Sequence, residues 1–350
     1  MASPGKRTSR SGSNKVRIEE VARLAGVSAI TVSRALNTPQ KVNEATRNAV
    51  LKAVEDTGYI PNRLAGSLAS NRSRTVGVIV PTVTNSIFAD KIKGLSDVLS
   101  EAGYQILLGQ SGYSPEVEAE LVSALLAQSP SGLVITGSAH ALRTHTLLGR
   151  ADIPVVETWT NAEAPVDMQV GFSNEDAAFA AVAHLAAGGY RSLALVVAPM
   201  VHNDRALGRK RGFDRGLAHF GLRQTLPPIE AEFSLRNGAD ALARVIEAQP
   251  QTDAIFFAND VLAAGALLEC RRRNVAVPDR IGIIGFDDLE IASEMVPRLT
   301  TVAVPRYDIG ANAARMLLRR LAGETIQPKL TLDFEVVARE STRRTCGDRV

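Results

Sequence analysis

Cysteine is nearly missing: Cys270 and Cys346 are the only two in 350 residues. They are too few and too far apart to suggest a disulfide framework. Histidine is equally sparse, and His140, His145, His184, His202 and His219 have none of the spacings that hold a metal, so all five read as non-ligands. No apolar run approaches the length that spans a bilayer. The first fifteen residues are Ser, Gly, Lys and Arg-rich without an apolar centre, which speaks against a secretory signal and for a disordered basic tail on a cytoplasmic protein. Missing too are a glycine-rich dinucleotide fingerprint, a phosphate loop and a nucleophile elbow, which argues against an enzyme and implies no cofactor.

Charge is present but unevenly spread. Residues 1–74 hold 13 Lys/Arg against 5 Asp/Glu, a balance of +8, while the whole chain carries +3, leaving −5 for the remainder. A basic head on a mildly acidic body suggests that only the head meets a polyanion.

In that head, Ile18, Val21, Ala22 and Ala25 recur at i, i+3, i+4 and i+7, the apolar stripe of a short helix. Gly26 stops it, Val27 stays apolar across the turn, and Ser28 is a good N-cap for a second helix. There Val32, Ala35 and Leu36 can face inward, leaving Ile30, Ser33, Arg34 and Asn37 on the opposite stripe. A guanidinium, an amide, a hydroxyl and one apolar side chain are groups that read base edges and the thymine methyl. Two short helices joined by a glycine turn, the second so equipped, make a helix-turn-helix. Asn43 can cap a third helix to about Thr57, with Ala49, Val50, Ala53 and Val54 buried, and Gly58 ends it. Residues 62–70 would be a helix of barely two turns with an internal glycine, marginal alone in water. Residues 71–74 look like a linker.

From Thr75 onward short β-branched runs alternate with helical patterns. The strand candidates are 76–80, 105–108, 133–135, 155–156, 192–197, 254–257 and 281–284; the helices between them are 89–102, 115–127, 175–187, 207–220, 238–248 and 261–273. Such alternation means parallel sheets with crossover helices, here in two doubly wound subdomains. Ligands sit beyond the carboxyl ends of such strands, where 82–88, 110–113, 136–138, 157–159, 198–203, 258–260 and 286–288 fall. A cleft between the subdomains would hold a small polar molecule.

The residues line up with a known family. Val21-Ala22, Ala25-Gly26-Val27-Ser28, Thr31-Val32-Ser33-Arg34-Ala35-Leu36-Asn37, Val42 and Gly58-Tyr59-Ile60-Pro61-Asn62 resemble the lactose-repressor (LacI/GalR) family of bacterial transcription regulators. So do Gly77-Val78-Ile79-Val80-Pro81, Phe257-Ala258-Asn259-Asp260, Gly282-Ile283-Ile284-Gly285-Phe286-Asp287-Asp288 and Pro297-Arg298-Leu299-Thr300-Thr301-Val302. The likeness runs from about Val16 to Glu340. It implies an all-α helix-turn-helix head with a hinge helix (16–70) and a periplasmic-binding-protein-like α/β core (75–340) that binds effector and dimerises. A basic tail (1–15) and a short C-terminal tail (341–350) flank them. In the core, 75–172 with 305–328 would form one half and 173–304 with 329–340 the other. The last ten residues carry no leucine heptad, which favours a homodimer.

The resemblance also implies roles. Arg17, Ser28, Ala29, Ile30, Thr31, Ser33, Arg34, Asn37, Lys41 and Asn62 fall at DNA-contacting positions, Ala29 and Ile30 at the two that most determine specificity. Leu68 matches a hinge leucine wedged into the minor groove. Asn85, Phe88, Tyr113, Glu157, Arg209, Phe233, Asn259 and Asp287 are the effector-site candidates. A narrower likeness, carried by Gly103-Tyr104-Gln105, Gly112-Tyr113-Ser114-Pro115-Glu116 and Val170-Gly171-Phe172-Ser173-Asn174, is to the gluconate-utilisation repressors. A carboxylate effector would suit the fork of Arg209.

Plainer readings stand beside these. Arg34 and Leu68 could be a solvated charge and a core leucine, and Lys41 a general phosphate contact. Arg209 sits in a run with Arg205, Lys210, Arg211 and Arg215, and such a run is usually a solvated helix face. Asp287 beside Asp288 could cap a loop; Asn85, Phe88, Glu157 and Trp159 could serve turns or packing. Among functions, a ligand-controlled repressor of operator DNA competes with an α/β enzyme and with a transport binding protein. The last would need an export signal and have no use for residues 16–70.

Overall fold

The computed structural model describes residues 16–60, 73–84 and 86–344. They fall into two compact units that part at residues 71 and 72.

The first unit is all-α. Helix α1 (Ile18–Ala25) ends on Gly26, whose φ of 65° is the left-handed conformation glycine adopts without strain. Ser28 then caps α2 (Ala29–Asn37), its Oγ accepting from the Thr31 amide at 3.2 Å. Asn43 does the same for α3 (Glu44–Thr57), accepting from the Thr46 amide at 2.8 Å. Val21, Ala22, Val32, Ala35, Val50 and Ala53 form the buried centre, with Leu36 and Val54 packed around it. Ala49 is corrected: it is exposed. Val50 and Ala53 define the inner face of α3, and residue 49 sits about 100° around the helix from residue 50.

The second unit holds two parallel sheets. Strands β1 (Thr75–Val80), β2 (Gln105–Gln110), β3 (Gly132–Thr136), β4 (Val155–Thr158), β5 (Met168–Gly171) and β12 (Lys329–Thr331) stand in the order β12-β5-β4-β3-β1-β2. Strands β6 (Ser192–Val197), β7 (Arg223–Gln224), β8 (Ile229–Glu230), β9 (Ala254–Phe257) and β10 (Gly282–Ile284) build the other sheet, with β10-β9-β6-β7 in line and β8 also on β6. An antiparallel pair, β11 (Thr301–Ala303) with β13 (Glu335–Val337), flanks the second sheet, where bridges from Ile284 to Thr300 and from Asp287 to Ala303 continue it.

Helices α4 (Ile87–Glu101), α5 (Pro115–Leu126), α6 (Leu142–Arg150) and α12 (Arg306–Leu321) belong to the first half; α7 (Asn174–Ala187), α8 (Asp204–Phe220), α9 (Leu235–Ala248), α10 (Asp260–Arg272) and α11 (Glu290–Glu294) to the second. α4 and α12 approach through glycines. A Cβ on Gly94 would stand 2.2 Å from the Tyr307 carbonyl oxygen, and one on Gly310 2.0 Å from that of Lys91. Those two backbones therefore lock in contact that no larger residue permits.

One boundary is corrected. Residues 329–331 were expected in the half formed by 173–304, yet β12 pairs with β5, Leu330 opposite Val170, at the edge of the first sheet. The chain returns to the second half only with β13. Edge pairing satisfies backbone groups that β5 would otherwise leave open.

Candidate functional site

In the head, the recognition stripe is outward as expected for the residues that can be placed. Ile30 is 65% exposed and Arg34 is exposed on the same helix. Ser33 is half-buried and has a partner. Arg17, in extended conformation just before α1, and Lys41, in a 3-10 turn after α2, are exposed as well. Thr31 and Ser28 share a hydroxyl contact at 2.9 Å. Ala29 is half-buried and packs on the head's own core, so its contribution to any surface is small beside that of Ile30. Asn37 ends α2. Asn62 and Leu68, the two hinge candidates, lie outside the described residues.

In the core unit, strand ends and helix starts from both halves surround one narrow pocket. Its walls include Phe88 and Trp159 from the first half, Asn203 and Phe233 from the second, and the long side chains of Arg205 and Arg209. Tyr113 lines it too and is shared with a neighbouring pocket that reaches Thr136, His202 and Asp204. Asn85 lies outside the described residues.

The sequence run around Arg209 divides by helix face. Arg211 and Arg215 pair outward with Glu175 and Asp176. Arg205 and Arg209, one turn apart, point inward and are both buried. Arg209 Nε donates to Asn174 Oδ1 at 3.0 Å and one terminal nitrogen to the Ala258 carbonyl at 2.6 Å; the other lies 3.8 Å from Asp287 Oδ1. Its guanidinium stacks on Phe286, 3.8 Å from the ring centroid. Burial pulls its pKa down, and the Asp287 charge opposes that. Arg205 donates to Asp204 Oδ1 at 2.8 Å and lies 6.0 Å from the Tyr113 ring centroid.

Asp287 is buried, held by Asn259 Nδ2 on Oδ2 at 2.7 Å, while Oδ1 has no hydrogen-bond partner among the described residues. Burial raises its pKa against the opposing charge of Arg209. Asn259 is occupied on both sides, since its Oδ1 accepts from the Val261 amide at 2.9 Å. It positions Asp287 and caps α10 rather than lining the pocket. The Trp159 indole N–H, on a ring that does line the pocket, also lacks a partner among the described residues. A buried donor on the pocket wall and a buried acceptor behind it, reached through Arg209, are left open, and such groups call for an explanation.

Backbone strain gathers in the same place. Of the seven non-glycine residues with positive φ among the described residues, Tyr113, Trp159, His202, Asp287 and Asp288 border these pockets or the strand end behind them. Such conformations cost roughly 1–3 kcal/mol each and collect at ligand sites.

Glu157 is corrected. Its Oε2 accepts from the Val166 amide at 2.7 Å and its Oε1 lies 3.3 Å from His140 Nε2, so the carboxylate is turned away from the pocket. Strand alternation is the reason: Thr158, one residue on, has its hydroxyl toward Lys91, which sends Glu157 to the other face. Arg205 is the reverse case, a contributor assigned to a solvated run. Its signal was the four-residue spacing to Arg209. Lys91 was also missed, although it interrupts the apolar stripe of Ile87, Phe88 and Leu95 on the buried side of α4.

Contacts across the mouth join the halves. Asp204 Oδ2 accepts from the Ser138 amide at 3.0 Å and its hydroxyl at 2.9 Å; Asn174 Nδ2 donates to the Trp159 carbonyl at 3.0 Å. Arg306 ties Asp90 of α4 (2.9 Å) to the backbone carbonyls of Asp287 and Asp288. Among the described residues no group of three or more His, Cys, Asp or Glu is placed to hold a metal ion, and no helix is long and apolar enough to cross a membrane.

Comparison with known proteins now decides the family. The profile of bacterial regulatory proteins of the lacI family matches residues 17–62, and that of a periplasmic binding protein-like domain matches 182–342. The HTH-type transcriptional regulator GntR of Escherichia coli is 35% identical over 313 residues, covering 89% of this chain and 94% of that protein. The chain belongs to the lacI family of bacterial regulators. Within the family, GntR of Pseudomonas aeruginosa is 38% identical over 330 residues (93% and 95% covered), and IdnR of Escherichia coli 36% over 308 residues (88% and 92%). A LacI-family regulator from Silicibacter pomeroyi superposes with a TM-score of 0.87 at 31% identity, over 94% of this chain and all of that one. The lac repressor dimer, solved bound to operator and an anti-inducer, gives 0.83 at 26% identity over 94% and 99%. This lacI-family member is therefore a DNA-binding transcriptional regulator, not an enzyme.

Proposed function

We propose that the protein is an effector-controlled repressor, acting in the cytoplasm as a homodimer on a near-palindromic operator, and that its effector is a sugar acid such as gluconate or 2-ketogluconate. Two α2 helices would enter successive major grooves about one helical turn (~34 Å) apart. Arg34, Ile30, Ser33 and Asn37 then read bases. Arg17, Lys41, Ser28 and Thr31 serve the phosphates, and Leu68 the minor groove with Asn62 beside it. Residues 16–70 form the DNA-binding segment, and residues 75–340 the sensing and dimerising one.

The observation that carries the effector reading is the cleft itself. Arg205 and Arg209 are buried beside the open carboxylate oxygen of Asp287 and the open indole N–H of Trp159. Three buried cations, Lys91, Arg205 and Arg209, stand against two acids, Asp204 and Asp287, and that surplus suits an acid group, while an unpaired acceptor with an unpaired donor suits sugar hydroxyls. The likeness to regulators named GntR and IdnR supports the same choice. A ligand that seats here competes with or reinforces the Ser138–Asp204 contact, changes the angle between the halves, and so alters the spacing of the two heads.

The test is calorimetric titration of the full chain with aldonic acids, ketoaldonic acids and neutral sugars, followed by footprinting on genomic DNA with and without the binder. Saturable binding of an acid that shifts operator occupancy is expected. Binding only of neutral sugars, or no preferred DNA segment under any condition, overturns the reading.

A further inference from the structure

Lys91 is a buried cation without a carboxylate. It projects from the inner face of α4, is fully buried, and donates from Nζ to Thr136 Oγ1 at 2.7 Å and to Thr158 Oγ1 at 3.3 Å. Both hydroxyls spend their own protons on strand carbonyls, Thr136 on Ile79 at 3.0 Å and Thr158 on Ile135 at 2.9 Å. Their oxygens are therefore neutral acceptors for the ammonium, whose third N–H has no partner among the described residues. Thr136 lines one of the two cleft pockets, and Phe88, whose ring centroid lies 5.6 Å from Nζ, lines the other with Trp159, the residue after Thr158. The ammonium thus stands directly behind the wall of the cleft.

The surrounding charges are already matched. Asp204 holds Arg205, Asp90 holds Arg306, Glu157 faces His140, and Asp287 faces Arg209. Arg209 is further spent on Asn174, Ala258 and the Phe286 ring, so its fork is not open for a bidentate carboxylate in this conformation. Lys91 is left as the one described cation at the cleft without an anionic neighbour of its own. Such a group is costly to bury, and in a medium of low dielectric its field acts strongly on whatever enters.

We propose that Lys91 is the counter-charge for the effector's carboxylate, held in the first half, and that it selects an acid over the matching neutral polyol. The inference rests on the sugar-acid reading above and reassigns the acid end from Arg209 to the first half, leaving Arg209 and Asp287 for hydroxyls. It carries a second consequence. Burial, and after it the positive field of Arg205, lower the Lys91 pKa from 10.5 to about 7. An anion beside it favours the charged form, so binding near neutrality takes up protons and weakens as pH rises above about 7.

The test is calorimetry on the full chain with gluconate, 2-ketogluconate and glucitol, on wild type, Lys91→Met and Lys91→Gln, in buffers of different ionisation enthalpy at pH 7.5. Thermal melts by circular dichroism report the fold, and Lys91→Gln keeps a hydrogen-bonding end should Lys91→Met not fold. The expected result is a loss of about 30-fold or more in acid affinity, unchanged glucitol affinity, and disappearance of proton uptake. An unchanged acid-to-polyol ratio, or undiminished proton uptake in either folded variant, overturns the assignment while leaving the sugar-acid reading intact. Wild-type protein that binds neither acid overturns that reading and the Lys91 assignment together.

Discussion

At the scale of single residues, what a side chain touches separates roles that charge alone cannot. Arg209 and Arg211 are two residues apart, yet one is buried against Asn174, Ala258 and Phe286 while the other is largely exposed beside Glu175. Arg209→Met is expected to reduce effector binding at least tenfold while operator binding persists; titration of effector into the operator complex measures both, and a normal response excludes Arg209 from the cleft's work. Arg211→Met should leave effector affinity within about threefold, since exposed ion pairs are worth roughly 0–1 kcal/mol. His140 offers a pH test. Burial pulls its pKa down, but the hydrogen bond to Glu118 and the charges of Glu118 and Glu157 outweigh burial and raise it from 6.5 to about 9. The folded value exceeds the unfolded one, so this stabilisation is complete below about pH 6.5 and is lost as pH rises through about 9. Melting temperatures of wild type and His140→Gln, measured from pH 6 to 9.5, should differ most at the acid end and converge at the alkaline end. Parallel curves would show that His140 stays neutral.

At the scale of elements, legibility followed how each element buries itself. Strands β1, β6 and β9 were readable because both their faces are covered, which leaves runs such as Val76-Gly77-Val78-Ile79-Val80 almost without polar residues. Met168–Gly171 and Lys329–Thr331 gave no such signal, because Gln169, Lys329 and Thr331 break the apolar run. The helix Arg306–Leu321 was missed for a different reason. Its buried face includes Gly310, Ala311, Ala313 and Ala314, small residues that pack by closeness of backbone, and arginines crowd the rest. In the head, Ser28 was legible because an N-cap is a local device, and the residues that line the cleft were half legible because strand ends are. Which side of β4 Glu157 takes depends on register, and that only pairing with β3 and β5 fixes. The second helix of the head yields the prediction at this scale. Arg34→Ala should reduce the preference for operator over random DNA by roughly five- to 150-fold, the about 1–3 kcal/mol that one bidentate base contact contributes. Equal discrimination by the variant in competition binding removes its reading role.

At the scale of the whole molecule, the charge budget and the cleft act on the same equilibrium by different routes. Of the 13 basic residues before position 75, only six lie in 16–60, where five acids nearly cancel them. The surplus sits in the flanks, with Lys6, Arg7, Arg10 and Lys15 in the first fifteen residues. Removing residues 1–15 should therefore flatten the salt dependence of operator binding, by up to about 3–4 in the slope of log affinity against log salt if all four meet phosphates. Discrimination between sequences should stay as it was, because contacts to phosphates carry no base information. An unchanged slope would place the salt-sensitive contacts entirely within residues 16–74. The effector acts otherwise. It carries no charge to the DNA and can shift affinity only by binding the operator-bound and free forms unequally. Thermodynamic linkage then fixes a reciprocal: the factor by which a saturating acid changes operator affinity must equal the factor by which operator changes affinity for the acid, commonly 5- to 150-fold. Anisotropy titrations of labelled operator give the first number and calorimetry with and without operator the second. Two unequal factors would mean that the acid binds at more than one place or that the dimer dissociates during the cycle, and a factor of one both ways would leave the cleft with no part in control.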